Sequence, residues 1–245
     1  SICQATLDNK GDLGIIFDTD VDRAAIVGSD GRPINKNALI ALISSIILEE
    51  YPQTTIVTDS VTSNGLAEFI KARGGIHHRF KRGYKNVINE AISLNEEGRE
   101  SHLAIETSGH AAIKENYFLD DGAYLISKIL VKAAKLYRES QDIGQLIGDL
   151  DEALEDKEIR LKIEDKDFRA YANKLIKSLS EKIKDIDGWA EVADNYEGIR
   201  VDCRDEKGWF LMRSSLHEPL LVINFESDIE GGCDTINEKL SALIK

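Results

Sequence analysis

The stretch NALIALISSIILEEYPQTTIVTDSVTSNGLAEFIKARGG (37–75) carries the pattern that decides the fold. Residues 37–51 predict an apolar helix, and TTIVTD (54–59) predicts a buried strand. The remainder predicts a second helix that ends at the paired glycines Gly74 and Gly75. A helix, a buried strand and a helix in direct succession are typical of an α/β domain.

The alternation continues on the C-terminal side of this stretch. IHHRF (76–80) and SHLAIET (101–107) predict strands, and residues 84–98 and 121–140 predict helices. Helices and strands of these lengths indicate a sheet with helices on its faces. We therefore predict an α/β fold whose first full domain, residues 34–150, has three layers and a mixed sheet.

The last third of the chain has a different pattern. DIGQLIGDLDEAL (142–154) predicts a helix and IRLKIE a short strand, and the remaining predicted elements are helices at 167–184 and 230–244 and strands near 198–203, 208–213 and 220–225. Helices combined with a run of neighbouring strands favour a smaller α+β C-terminal domain, with helices on an antiparallel sheet, over residues 151–245.

The first 33 residues predict the end of a helix and two apolar strands, LGIIF (13–17) and AAIVG (24–28). Two strands and a helical turn are too little to bury a core. We expect residues 1–33 to be the tail of a truncated domain. Their unpaired edges predict self-association through this N-terminal segment.

Composition limits the classes of partner and compartment. The formal net charge of −13 repels nucleic acid phosphates and anionic membranes, so neither partner is expected. The cysteines Cys3, Cys203 and Cys233 form no CxxC pair, which favours a reducing cytoplasm. No apolar run reaches the length of a membrane span.

The acidic loop FDTDVDR (17–23) joins the two N-terminal strands. Asp18, Asp20 and Asp22 alternate, so a tight turn can bring their carboxylates onto one cation, and hard oxygen ligands suit Mg²⁺. An alternative stays open. A strand that ends in an apolar run followed by DxD is also how haloacid-dehalogenase-like phosphatases present an Asp nucleophile, here Asp18, with Asp20 as the acid and Thr58 and Asp120–Asp121 as partners.

Two further polar loops follow predicted strands. In ETSGH (106–110), Glu106 and Ser108 can bind sugar hydroxyls and His110 can serve as an acid or a base. In RSSLHEP (213–219), the planar guanidinium of Arg213 suits a phosphate, and Ser214 and Ser215 can complete an anion-binding turn. A non-catalytic phosphosugar-binding chain is therefore a third possibility.

The three motifs occur in the order in which the α-D-phosphohexomutases (phosphoglucomutases and phosphomannomutases) carry them, and the chain resembles the C-terminal portion of that family. FDTDVDR is similar to the DxDxDR metal loop, ETSGH to the ExSGH sugar loop and RSSLHEP to the RxSxTEP phosphate loop, where Glu218 matches the family glutamate. GYKN (83–86) is similar to a loop whose lysine, Lys85 here, reaches the ligand. Leu216 and His217 depart from the common pattern.

The resemblance implies an isomerase that interconverts sugar 1-phosphate and 6-phosphate, of glucose or mannose, through a phosphoserine and a bisphosphate intermediate. It implies that residues 1–33 are the tail of a truncated metal-binding domain, that residues 34–150 form a sugar-binding domain and that residues 151–245 form a phosphate-binding domain. It also implies Mg²⁺ on Asp18, Asp20 and Asp22, and catalytic roles for Arg23 and His110. It implies substrate binding by Lys85, Glu106, Ser108, Arg213, Ser214, Ser215 and His217. No serine loop of the TASHNP kind occurs in the sequence, so this chain is expected to be inactive by itself.

Overall fold

The computed structural model describes residues 1–215 and 218–244, and the chain divides into two compact units, Ser1–Glu152 and Ala153–Lys245. The first is a mixed-sheet unit with helices on both faces, and the second is an antiparallel sheet with helices. The predicted fold class is confirmed. The three-part division of the chain stays a prediction.

The first unit alternates helices and strands as the sequence pattern indicates. In chain order its elements are α1 (Ile2–Asp8), β1 (Leu13–Phe17), β2 (Ala24–Gly28), β3 (Pro33–Ile34), α2 (Lys36–Glu50), β4 (Thr55–Asp59), α3 (Asn64–Ala72), β5 (Ile76–Phe80), α4 (Tyr84–Glu96), β6 (Ser101–Ile105), β7 (Ala111–Ile113) and α5 (Gly122–Arg138).

The main sheet of this unit has the strand order β5-β4-β6-β7, with β4 parallel to β5 and β6 and with β7 antiparallel to β6. Alternate strand residues face opposite sides: Ile56 packs with α2, α3 and α5, whereas Val57 packs with α4. Helix α2 is buried from Ala38 to Leu48, which explains why its sequence is apolar on every side.

The N-terminal residues form a separate three-stranded antiparallel sheet, β1-β2-β3. Ala24, Ile26 and Ile34 join the same apolar core as α2 and α5. The outer strand is less well covered, because Ile16 is 50% and Phe17 39% exposed. The segment thus obtains its core from the α/β elements that follow it.

The second unit is built on one antiparallel sheet with the order β8-β12-β11-β10-β9. Its elements are β8 (Glu155–Lys162), α6 (Phe168–Lys182), β9 (Trp189–Glu191), β10 (Ile199–Cys203), β11 (Gly208–Ser214), β12 (Leu220–Ser227) and α7 (Gly232–Leu243). Residues of α6 and α7 share its apolar core with Phe210, Ile223 and Phe225.

The prediction of a helix over residues 142–154 is wrong. The structure has a short 3-10 helix, Ile143–Ile147, in which the Asp142 side chain accepts a hydrogen bond from the Gly144 N–H. Two glycines, Gly144 and Gly148, weaken a longer helix at this point. The strand predicted at 159–164 begins earlier, at Glu155, because it pairs with β12 along its whole length.

Three short strands, β3, β7 and β9, were not predicted. Each has two or three residues, which is too short for a periodic pattern in the sequence. None of the helices in the described residues combines the length and apolarity that crossing a membrane requires.

Candidate functional site

The acidic loop is a tight connection between β1 and β2. The Asp18 N–H donates to the Arg23 carbonyl (3.3 Å), and the Arg23 N–H and Nε donate to the two carboxylate oxygens of Asp18, at 3.2 Å and 2.6 Å. Val21, at the apex, has φ +64°, a conformation that a β-branched residue rarely adopts. The turn holds the three aspartates on one short segment.

The three aspartates converge as the spacing predicts. Asp18, Asp20 and Asp22 each offer a carboxylate oxygen, and these atoms all lie within 4.8 Å of one another. The Asp22 Oδ1 atom is buried and accepts no hydrogen bond from the described residues. An all-oxygen set that includes a buried oxygen without a hydrogen bond among the described residues fits Mg²⁺.

Arg23 keeps one of these carboxylates ionised. Burial acts to raise the pKa of Asp18, but the hydrogen bonds and charge of Arg23 outweigh it, so the pKa of Asp18 is lowered. A carboxylate that stays ionised at neutral pH is suited to ligate a cation.

His110 links the acidic loop to the ETSGH loop. Arg23 and His110 form an antiparallel backbone bridge, and His110 Nδ1 lies 3.6 Å from Asp22 Oδ2. The same nitrogen lies 2.7 Å from Asp120 Oδ2, at the start of the segment that leads into α5. Burial raises the pKa of Asp120, and His110 opposes that shift. Asp120 thus orients the imidazole.

Glu106 and Ser108 occupy the turn between β6 and β7. Glu106 is 4% exposed, and its carboxylate accepts hydrogen bonds from the Gly83 N–H (2.6 Å, to Oε1) and the Ser108 hydroxyl (3.2 Å, to Oε2). Gly109, at φ +98°, makes the turn, and the Glu106 N–H donates to the His110 carbonyl. The turn leaves the Ser108 side chain exposed beside a fixed carboxylate.

Lys85 lies in the first turn of α4, two residues after Gly83, and it is exposed. Its ammonium is 5.7 Å from the centre of the Tyr84 ring, and that ring stacks on His110 with 4.8 Å between the ring centres. Tyr84 therefore places the start of α4 beside the histidine. The sequence carried no signal for this stacking.

Asp59, at the end of β4, is a further site residue that the sequence did not identify. Its side chain accepts hydrogen bonds from the Thr107 N–H (3.1 Å) and hydroxyl (2.7 Å). Burial, with the nearby charge of Glu106, raises the pKa of Asp59 to about 6 against opposing contributions from Thr107 and Arg82. The available signal was an acidic residue at the end of a strand that the sequence predicts to be buried.

The predicted phosphate loop lies in the second unit, between β11 and β12. Arg213 is buried near the end of β11, and Ser214 and Ser215 are half-buried. The loop is closed by a hydrogen bond from the Ser215 N–H to the Leu220 carbonyl (2.8 Å), and the Glu218 N–H donates to the Ser215 hydroxyl (3.3 Å). His217, also assigned to substrate binding, lies outside the described residues.

The partner residues of the phosphatase alternative have other contacts. The Thr58 hydroxyl lies 2.8 Å from His77 Nε2 and 3.2 Å from the Thr62 hydroxyl. Asp121 caps α5 by accepting from the Tyr124 N–H at 2.9 Å. Both side chains thus have structural roles at the ends of β4 and α5.

Comparison with known proteins gives consistent matches. Residues 35–152 match the family described as phosphoglucomutase/phosphomannomutase, alpha/beta/alpha domain III. The phosphomannomutase/phosphoglucomutase of Pseudomonas aeruginosa is 30% identical over 224 residues, which are 90% of this chain and 44% of that protein.

Two solved structures share the fold. A phosphoglucomutase/phosphomannomutase family protein from Burkholderia thailandensis matches with a TM-score of 0.80 and 26% identity, covering 99% of this chain and 48% of that one. An Aspergillus fumigatus N-acetylphosphoglucosamine mutase, in complex with GlcNAc-6P and magnesium, matches at a TM-score of 0.62 and 13% identity, covering 94% and 48%. This second likeness concerns the fold alone.

The chain spans about half the length of the curated relatives it matches. The match nevertheless extends over 98% of its own residues, so it spans the acidic, ETSGH and RSSLHEP loops of this chain. The resemblance to the phosphoglucomutase/phosphomannomutase family, the α-D-phosphohexomutases, is therefore confirmed: residues 35–152 match its domain III, and its members match nearly the whole chain.

Proposed function

We propose that this chain forms part of a mutase that interconverts the 1-phosphate and 6-phosphate of a hexose, glucose or mannose, through a phosphoserine and a bisphosphate intermediate. One observation carries the proposal. The backbone bridge between Arg23 and His110, with Asp22, His110 and Asp120 in contact, joins a cation-binding loop to a sugar-binding loop. Phosphoryl transfer to a sugar needs both functions side by side.

Asp18, Asp20 and Asp22 would hold Mg²⁺. When bound, the metal would stabilise the negative charge of a phosphoryl group in transfer. A protein of similar fold, the Aspergillus fumigatus mutase, has a structure in complex with magnesium. Arg23 fixes the loop through Asp18 and adds a positive charge beside the aspartates.

The other residues would bind and orient the substrate. Glu106 and Ser108 would hold sugar hydroxyls, and His110, oriented by Asp120, would accept or donate a hydroxyl proton. Lys85 would contact the substrate from the start of α4. In the second unit, Arg213, Ser214 and Ser215 would bind a phosphate group, with His217 as a further contact.

Other expectations stay predictions. These are self-association through residues 1–33, a cytoplasmic location, and the absence of turnover by this chain alone. The three cysteines are free thiols, which agrees with a reducing compartment.

The test is calorimetric titration of the chain with glucose 6-phosphate and with inorganic phosphate. Arg213→Ala should weaken the binding of both ligands by about tenfold or more, because the charge-assisted hydrogen bonds from the guanidinium to the phosphate are lost. Glu106→Gln should weaken only the binding of glucose 6-phosphate. Matched controls are Arg160→Ala, on the exposed strand β8, and Glu100→Gln, an exposed acid just before β6, and both should bind like the wild type.

Two outcomes would contradict the proposal. If Arg213→Ala binds both ligands like the wild type, the RSSLHEP loop has no phosphate role. If the chain hydrolyses phosphate esters and forms an aspartyl-phosphate that Asp18→Asn abolishes, the phosphatase alternative is correct.

A further inference from the structure

Asp59 occupies an unusual place for a carboxyl group. It ends β4, which lies between β5 and β6 in the main sheet, and its relative exposure is 0%. Burying a carboxyl group is unfavourable unless hydrogen bonds compensate for the lost water. The contacts that compensate here all lead to the ETSGH loop and to the start of α4.

The Asp59 carboxyl connects the two segments that hold Glu106. On one side, both of its oxygens accept hydrogen bonds from Thr107, the residue between Glu106 and Ser108. On the other side, Arg82 Nε lies 3.9 Å from Asp59 Oδ2. Arg82 directly precedes Gly83, whose N–H donates to the Glu106 carboxylate at 2.6 Å.

We propose that Asp59 is a positioning residue for sugar recognition. By holding the N–H and hydroxyl of Thr107, it fixes the turn so that Glu106 and Ser108, on either side, present a carboxylate and a hydroxyl to adjacent hydroxyls of a hexose phosphate. This inference rests on the function proposed above, and it adds a residue that has no contact with the sugar itself.

The charges around Asp59 give the inference a pH signature. Glu106 repels the ionised form and Arg82 attracts it, while Arg79, on the neighbouring strand β5, donates to the carbonyls of Thr62 and Ser63. With a pKa of about 6, Asp59 is ionised at neutral pH and accepts both hydrogen bonds from Thr107. A protonated carboxyl has one hydroxyl group in place of an acceptor oxygen, so it holds Thr107 less firmly.

The experiment measures glucose 6-phosphate and inorganic phosphate affinity for the wild type, Asp59→Asn, Thr107→Val and Thr107→Ser. At about pH 7.5, Asp59→Asn and Thr107→Val should bind glucose 6-phosphate about five- to tenfold more weakly, with phosphate binding unchanged. Thr107→Ser keeps the hydroxyl and should bind within about twofold of the wild type. At about pH 5, Asp59→Asn should bind glucose 6-phosphate as well as the wild type does, because wild-type Asp59 is then protonated.

Two results would overturn the inference. Wild-type affinity of Asp59→Asn and Thr107→Val for glucose 6-phosphate would show that the turn does not need Asp59. An equal loss of affinity for glucose 6-phosphate and for inorganic phosphate would show that Asp59 has only a general structural role. The variant Glu106→Gln separates this inference from the proposed function. If Glu106→Gln lowers the affinity for glucose 6-phosphate and Asp59→Asn does not, only the inference fails. If neither variant lowers that affinity, the proposed function fails.

Discussion

At the residue scale, the three aspartates of the acidic loop are not equivalent. Asp18 is held by Arg23, and Asp22 lies against His110, so changing either also changes the structure of the loop. Asp20 is exposed at the turn. It is therefore the position where a metal ligand can be removed at the smallest structural cost.

Asp20→Asn should abolish most of the stabilisation that Mg²⁺ gives to the chain. Mg²⁺ raises the unfolding temperature of a protein that binds it only when folded, and removing one of three carboxylates should weaken binding by about tenfold or more. Thermal unfolding with and without MgCl₂ measures the effect. Asp12→Asn, an exposed acid just before β1, is the matched control. Equal magnesium responses from both variants would remove the metal assignment.

The buried carboxyl of Asp59 should give the unfolding free energy a distinct pH dependence. Its pKa rises from 3.8 to about 6 on folding, so the folded state binds the proton more tightly. The stabilisation of the folded state by this proton is complete below about pH 4 and is lost as the pH rises through about 6. The free energy of unfolding changes by about 3 kcal/mol over this range. Asp59→Asn should therefore gain stability relative to the wild type over this range, as urea unfolding at several pH values would measure. Parallel pH profiles for the two proteins would contradict the assignment.

At the element scale, the start of α5 supports the acidic loop. The Gly122 N–H donates to the Val21 carbonyl at 3.1 Å. A Cβ at residue 122 would lie 2.9 Å from the Arg23 carbonyl carbon and from the Val21 oxygen, closer than side chains approach backbone. Only glycine lets the helix approach the loop this closely.

Gly122→Ala should destabilise the chain by about 1–3 kcal/mol and weaken Mg²⁺ binding, because the added methyl group displaces the acidic loop. Denaturant unfolding and magnesium-dependent melting would measure both effects. Gly148→Ala is a matched control. There the new Cβ makes only an ordinary contact with the Gln145 carbonyl, and stability should rise by about 0.4–1 kcal/mol. A stabilising Gly122→Ala would mean that α5 does not support the loop.

At the scale of the whole molecule, each apolar core lies within one compact unit. The cores around α2 and around α4 contain residues of the first unit, and the core around Phe210 contains residues of the second. The connection near residues 151–154 has no regular structure, and Leu154 is 65% exposed. Each unit therefore contains the residues that its own core needs.

We predict that residues 153–245, expressed separately, fold cooperatively. Circular dichroism during heating should show one transition that also occurs in the full chain, because that core loses no residue. The contrasting variant is a chain that ends at residue 98. It lacks β6 and β7 and should not fold, since the main sheet would lose half of its strands. A 153–245 chain without a cooperative transition would contradict the prediction.

The fold class and the loops of the candidate site could be predicted from the sequence alone. Helical and strand periodicities are local, and they identified α2 to α5, β4 to β6 and all the strands of the second unit except β9. The loops FDTDVDR, ETSGH and RSSLHEP each keep their candidate site residues within a few positions of one another. Residues that act within one turn can be identified from spacing, because the backbone connects them directly.

The tertiary structure decided which side chains from distant segments meet. Asp59 reaches Thr107 across 48 positions, and Tyr84 stacks on His110, because parallel strands and the helix that follows bring their ends to one edge of the sheet. The sequence also did not predict the short strand β7, or the 3-10 helix that takes the place of an α-helix after residue 142. Strand pairing over long range, together with the glycines of the 142–148 turn, outweighs local propensity there, and a single sequence contains no pattern for such contacts.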